Sequence, residues 1–193
     1  MPLFFKDRMQ LATLEGLSQN VSMDRDLHTE RFVLRKMGDE DYDFLEQMYA
    51  DPDVMKYIST GVRDAQKTHQ SLHKFKKHWI NYGFGMWTIH AKESFEKLGY
   101  MGFRCLEGKE GVEFGGLLVK KIWGKGVATE VGKACIAYGL DHYKFNEIYA
   151  VVDPENKASL HWISKLGLKR NSKKDGIYHD TFTYYFSIQR RAL

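Results

Sequence analysis

The stretch from Val112 to Tyr138, VEFGGLLVKKIWGKGVATEVGKACIAY, constrains the fold more than any other part of the chain. It falls into three pieces. Val112–Val119 is apolar and carries the pair Gly115–Gly116, and Lys120–Gly126 is short, basic and glycine-bearing. From Val127 onward, Val127, Val131, Ala134, Cys135 and Tyr138 recur at the spacing of one helix face. The order is therefore strand, tight loop, helix. The first N–H groups of a helix have no intrahelical partner, and the helix dipole adds positive potential there. Gly124 and Gly126 remove side chains where a ligand would press on the backbone, while Lys120, Lys121 and Lys125 add charge. Such a junction suits a phosphate. Neither G-x-x-x-x-G-K-[ST] nor a G-x-G-x-x-G after the strand is present, which sets aside two familiar phosphate loops. An ordinary β-α junction with glycines for close packing has the same local pattern.

The rest of the composition narrows the class. A chain of 193 residues is long enough for one domain with a substantial core, and 43% apolar content with 14% aromatic residues is that of a folded globule. The formal charge of +4 is too mild to point to nucleic acid and suits an anionic ligand. Cys105 and Cys135 sit in apolar patterns and read as buried thiols in a reducing compartment. No run approaches the ~18 apolar residues of a membrane span, and MPLFFKDRMQ has no secretory pattern. The expectation is a cytoplasmic protein with no membrane and no nucleic-acid partner.

Residues 1–26 stand apart as an N-terminal extension or docking arm, with Phe4, Phe5, Leu11, Leu14 and Leu17 on one side of a short helix. Exposed apolar residues there would suit a homodimer. Residues 27–193 form the single domain. Leu27–Met37 alternates as a first strand, Asp39 is placed to cap a helix that stops at Asp51–Pro52, and Asp64 is placed to cap a second helix reaching Asn81. His69 and His73 share a face of that second helix without further metal ligands, so no metal is expected. Strands follow near residues 84–89, 98–106 and 112–119, joined by short polar links and so antiparallel. After the central helix come a strand at Glu147–Val152, a helix at Asn156–Leu166 closed by Gly167, and a last strand through Phe182, Tyr184, Phe186 and Ile188. The elements read β-α-α-β-β-β-α-β-α-β-β, a mixed α/β fold with a mostly antiparallel sheet of about seven strands flanked by helices.

Several stretches together resemble the GNAT superfamily of acyl-CoA N-acetyltransferases. They are TERFVLRKM, ADPDVMKYI, GFGMWTI, KLGYMGF, EFGGLLVKKIWGKGVATE, ENKASLHWISKLGLK and GIYHDTFTYYFSI, in that order over residues 27–188. The likeness is greatest to the ribosomal-protein N-terminal (alanine) acetyltransferase branch. The loop is similar to the family's [RQ]-x-x-G-x-[GA], with Lys121 in first position and Trp123 before the first glycine. The resemblance implies acetyl-CoA as cofactor, its pyrophosphate on Gly124, Lys125, Gly126, Val127 and Ala128. It also implies splayed central strands, with the pantetheine arm against Leu117, Leu118 and Val119 and in contact with Asn156.

The implied reaction moves acetyl from the thioester to a primary amine, of a protein N-terminus or a small molecule. Glu113 is the candidate base, since it shares strand parity with Gly115, Leu117 and Val119. Many relatives place an acidic Tyr seven residues after the Asn; here Ile163 stands there, and the nearer branch instead has Ser three residues after it, Ser159 in this chain. Ser159 is the candidate acid or thiol contact. The absent Tyr motivates the alternative of a catalytically weak, acetyl-CoA-binding regulatory protein. Tyr178, His179 and Asp180 fall in the family's terminal hairpin, with His179 a second possible base. The acidic run Asp39, Glu40, Asp41, Asp43, Glu46, Asp51 and Asp53 is either an attraction for a cationic amine or a solvated surface.

Overall fold

The computed structural model describes residues 26–106 and 111–190. All but the last residue of the expected 1–26 arm lies outside the described residues. The expected first strand is two strands, β1 (Leu27–His28) and β2 (Phe32–Lys36), paired antiparallel. The break comes from a tight turn: the Phe32 N–H donates to Thr29 Oγ1 at 3.1 Å, and the Thr29 N–H donates to the Phe32 carbonyl at 2.9 Å. These bonds replace ladder bonds, so the chain reverses where its alternation continues.

Asp39 does not cap the first helix. It opens a 3-10 turn, Asp39–Asp41, whose cap position is Gly38, and Asp41 reaches back to accept the Gly38 N–H at 3.0 Å. Helix α1 (Tyr42–Ala50) follows and ends at Asp51, whose side chain starts the short α2 (Pro52–Met55) by accepting from the Asp53 N–H at 2.9 Å. Asp64 caps α3 (Ala65–Tyr82) as its position suggested, accepting from the Lys67 N–H at 2.7 Å. On α3, His69 stacks on Tyr42 with ring centroids 4.0 Å apart, so it joins α3 to α1.

Strands β3 (Met86–Ala91), β4 (Lys97–Arg104) and β5 (Val112–Leu118) form an antiparallel meander. Then come α4 (Val127–Asp141), β6 (Glu147–Val152), α5 (Lys157–Lys165), β7 (Lys169–Arg170), β8 (Gly176–Tyr178) and β9 (Thr181–Gln189). Among the described residues the sheet has nine strands, in the order β1-β2-β3-β4-β5-β6-β9-β7 with β8 on β9. The two beyond expectation are β1 and β7, each of two residues, too short to show a period.

One pairing decides where a ligand can lie. Among the described residues β5 and β6 are the one parallel pair of the sheet, and they pair only at Val112 with Ile148 and Glu113 with Tyr149. Beyond that, β5 stays with β4 to Leu118, while β6 stays with β9 to Val152. The two strands part like a fork, open at their carboxyl ends. Helices cover both faces. Leu45, Met48, Tyr49, Met55 and Leu72 from α1–α3 pack on Met86 and Tyr100. On the other face Val131, Cys135 and Ile136 of α4 and Ile163 of α5 pack on Phe103, Phe114 and Ile148. Each face takes its apolar side chains out of water at a gain of about 25 cal/mol per Å² buried, which holds the fork together at its base. Among the described residues no helix is long and apolar enough to cross a membrane.

Candidate active site

The open end of the fork is built from backbone. Gly124 and Gly126 have φ of +76° and +79°, a left-handed conformation that disfavours any residue with a Cβ. These two turns aim the chain so that α4 begins at the fork's mouth. Gly126 takes the cap position without a side-chain bond, and among the described residues the N–H groups of Gly124, Gly126, Val127 and Ala128 have no hydrogen-bond partner. Four donors and the positive end of a 15-residue helix therefore face one place. Asn156 and Ser159 begin α5, directly after β6, so they stand on the same open side. Asn156 Oδ1 caps α5 by accepting the Ser159 N–H at 3.0 Å, which leaves its amide N–H groups for a ligand; the Ser159 hydroxyl makes no hydrogen bond among the described residues.

Two expectations about this end need adjustment. The Val119 N–H donates to the Leu98 carbonyl at 3.0 Å, and the Leu118 carbonyl accepts from the Trp123 indole at 2.9 Å. The Val119 donor is therefore already engaged in the sheet. The loop lysines are also engaged: Lys120 pairs with Asp53 and Lys121 with Glu96, all more than half or nearly half exposed. Such pairs are weak and exchangeable. A cation that sequence reasoning missed stands closer. Arg31, from the β1–β2 turn, donates through Nε to Glu130 at 2.7 Å and through Nη1 to the Lys125 carbonyl at 3.3 Å, and its Nη2 lies beside Gly126. Its sequence distance from the loop hides it.

The closed end is built from side chains. Glu113 on β5 is 4% exposed and meets Arg104 of β4 through both oxygens, Nε to Oε2 at 3.0 Å and Nη2 to Oε1 at 2.9 Å. His179 Nε2 lies 3.0 Å from both Glu113 oxygens and 2.9 Å from Arg104 Nη2. Burial alone would raise the Glu113 pKa; the bonds from His179 and Arg104 outweigh it and hold the carboxyl below its usual value. Glu113 is thus a fixed, ionised, fully engaged carboxylate. Arg104 was missed in the sequence, although a lone charge in YMGFRCL and another in VEFGGLLV fall opposite one another once β4 and β5 pair.

His179 and Asp180 are the two loop residues of the β8–β9 hairpin, with φ of +50° and +63°, the signs a I′ turn requires. Next to Glu113 on β6, the hydroxyl of Tyr149 is buried with no partner among the described residues, and burial raises its pKa. Behind Arg104, the Cys105 N–H donates to His78 Nε2 at 2.9 Å while His78 Nδ1 donates to the Phe84 carbonyl at 2.7 Å. That pair of bonds fixes a neutral tautomer and ties α3 to the end of β4. Burial lowers the His78 pKa accordingly.

Between the two ends lies Gly115. A Cβ built on it would meet none of the described residues within 4 Å, whereas one on Gly116 would lie 2.2 Å from the Tyr100 carbonyl. Adjacent glycines therefore serve different needs: one lets strands approach, the other leaves space two residues, roughly 7 Å, from Glu113. Ile163, at the position where a Tyr acid was sought, is 1% exposed in the core and has no hydroxyl to offer. The acidic run near α1 is largely occupied: Asp39 pairs with Lys76, Asp41 with Lys97 and Asp53 with Lys120, and Asp51 caps α2.

Comparison with known proteins agrees with this geometry. Residues 31–169 match the family described as Acetyltransferase (GNAT) domain. The chain is 34% identical over 145 residues to the uncharacterized protein YkkB of Bacillus subtilis (strain 168), covering 74% of this chain and 84% of that one. It is 33% identical over 175 residues to the uncharacterized N-acetyltransferase p20 of Bacillus licheniformis, covering 86% and 96%. The crystal structure of a GNAT-family acetyltransferase from Bacillus anthracis superposes with a TM-score of 0.73 at 28% identity, over 86% of this chain and 99% of that one. A β5–β6 fork with a glycine-turned helix at its mouth, and these matches over most of the chain, make the protein a member of the GNAT acetyltransferase family and an acyltransferase enzyme.

Proposed function

We propose that the protein transfers acetyl from acetyl-CoA to a primary amine, on a protein N-terminus or a small molecule. The observation that carries this reading is the fork. It runs from four unpaired N–H groups at its mouth, past open space at Gly115, to an ionic centre at its base. The residues present fit acetyl-CoA. The N–H groups of Gly124, Gly126, Val127 and Ala128 would hold the pyrophosphate, with Lys121, Lys125 and Arg31 around it and Trp123 at the rim. Leu117, Leu118 and Val119 would flank the arm through the free edge of β5, and the amide of Asn156 would reach it from α5. Acetyl-CoA supplies the activated acyl group as a thioester.

What the chain must supply is proton movement. An amine is protonated at neutral pH, with a pKa of roughly 8 for an α-amino group and about 10.4 for Lys, and must lose that proton to attack. Glu113 is the anionic group of the reacting end, and the proton leaves toward the centre it forms with Arg104 and His179. Ser159, across the fork, serves the leaving sulfur as hydrogen-bond donor in place of the missing Tyr. The likeness to the ribosomal-protein N-terminal (alanine) branch favours an α-amino acceptor. The occupied acids near α1 argue against a strong electrostatic trap for polyamines there.

The test is release of free thiol from acetyl-CoA over a panel of N-terminal peptides, polyamines and aminoglycosides, with mass analysis of the acceptor. The proposal expects saturable, amine-dependent release and a +acetyl product. Binding of acetyl-CoA with no acetylated product on any amine would sink it.

A further inference from the structure

The proton acceptor at the base of the fork need not be the carboxylate. Glu113 is 4% exposed, and each of its oxygens already receives a donor from Arg104 and lies within hydrogen-bond distance of His179. An amine could reach it only by breaking that arrangement. His179 is different. Its side chain is about a third exposed, and it stands on the hairpin at the solvent side of the centre. Only its Nε2 is engaged; Nδ1 makes no hydrogen bond among the described residues.

The tautomer follows from donor and acceptor balance. An ionised carboxylate cannot donate, so the contact between Nε2 and Glu113 requires the proton on Nε2. The Arg104 contact requires the opposite, a bare Nε2. The two exclude each other. Two carboxylate oxygens at 3.0 Å outweigh one guanidinium nitrogen that already donates to Oε1. Nε2 therefore carries the hydrogen, and Nδ1 presents a lone pair outward. The charged groups that face the ring are Arg104 from β4 and Glu113 from β5, and Tyr178 and Asp180 flank it on its own hairpin. Backbone position supports the same role: two successive residues with positive φ hold His179 at the turn tip, a conformation that non-glycine residues adopt at a cost.

We propose that His179 is the general base for the amine, with Glu113 as the positioning residue that fixes its tautomer and Arg104 as the partner that holds Glu113 in place. This rests on the acetyl-transfer reading above. In the step, Nδ1 takes one proton from R–NH3+, and the freed lone pair forms the new C–N bond at the acyl carbon. The C–S bond breaks, the second amine proton ends on the leaving sulfur, and the proton on His179 passes to solvent.

The test compares wild type with His179→Asn, which tolerates a left-handed turn, and with Glu113→Gln, in the thiol-release assay across pH, with acetyl-CoA affinity by calorimetry and Tm as controls. The expected result for His179→Asn is a kcat about 10²–10⁴-fold lower, a rate that rises with pH only as the free amine does, and acetyl-CoA affinity and Tm close to wild type. Glu113→Gln should lower kcat less than His179→Asn does, because the base remains and only its orientation is loosened. A His179→Asn enzyme with the wild-type rate and profile overturns this inference alone, as does a Glu113→Gln enzyme that loses far more rate than His179→Asn. Absence of thiol release from wild type overturns the acetyl-transfer reading and this inference with it.

Discussion

The open end of the fork is made of backbone, and the closed end of side chains. At the mouth, the ligand-facing groups are N–H donors of Gly124 to Ala128, placed by two left-handed glycines within one contiguous segment. At the base, Arg104, Glu113 and His179 come from β4, β5 and the β8–β9 hairpin, and none is within eight residues of another in the chain. A backbone site tolerates changes of side chain around it, as Lys121 shows by pairing with Glu96 at the mouth. A side-chain site depends on its ion pair, because removing Arg104 or Glu113 leaves the other without its partner.

The sharpest break in the comparison lies between the neighbouring glycines. Gly116→Ala should unfold the protein or cost on the order of 4 kcal/mol, since its Cβ would lie 2.2 Å from the Tyr100 carbonyl, a backbone atom that cannot move aside. Gly115→Ala should leave Tm unchanged or slightly higher, yet raise the KM for acetyl-CoA, because its Cβ enters space that is open in the fold. Thermal unfolding and steady-state kinetics of the two variants decide it. Equal loss of stability in both would contradict the assignment of that space to a ligand.

Next in size is the ionic centre. Glu113→Ala should cost about 2–3 kcal/mol by chemical denaturation, less than the 3–5 kcal/mol of a fully buried pair, because Arg104 reaches solvent. The Glu113 pKa is held down in the fold, so its contribution is present above the ordinary carboxyl value and is lost as pH falls through the folded one. Glu113→Ala should therefore flatten the loss of stability below about pH 4.5.

Gly126→Ala should cost about 1–3 kcal/mol from its φ of +79° and weaken acetyl-CoA binding in calorimetry, with little effect on a pH profile set at the other end. The smallest structural effect expected is at His78. Its neutral form accepts the Cys105 N–H, and its pKa is lowered, so the folded state binds protons less readily than the unfolded chain. Stability from this contact is complete above about pH 6.5 and falls as pH drops below it. His78→Gln should reduce that slope in pH-dependent melting; an unchanged slope would remove His78 from the account.

The sequence made the mouth legible and the base mostly not. Glycines, helix periodicity and a late helix opening at Asn156 are local signals, each readable within a few residues, and the structure has helices where the pattern put them, with Asn156 as the cap of the second. Glu113 could be singled out by strand parity. Its partners could not, because pairing Arg104 with Glu113 needs the β4–β5 register, and bringing His179 to them needs the β6–β9 pairing as well. Arg31 was hidden for the same reason, lying 94 residues from the Lys125 carbonyl that it bonds. Two-residue strands such as β1 and β7 carry no periodicity, and the Asp39 cap failed because Gly38 and Asp41 together satisfy the turn first.

The most direct measurement is a crystal structure of the protein with acetyl-CoA. The account predicts the pyrophosphate on the N–H groups of Gly124 to Ala128, the arm between β5 and β6, and the thioester in van der Waals contact with Gly115, facing His179. Acetyl-CoA bound outside the fork, or with its thioester turned away from Gly115 and the Arg104–Glu113–His179 centre, would contradict it.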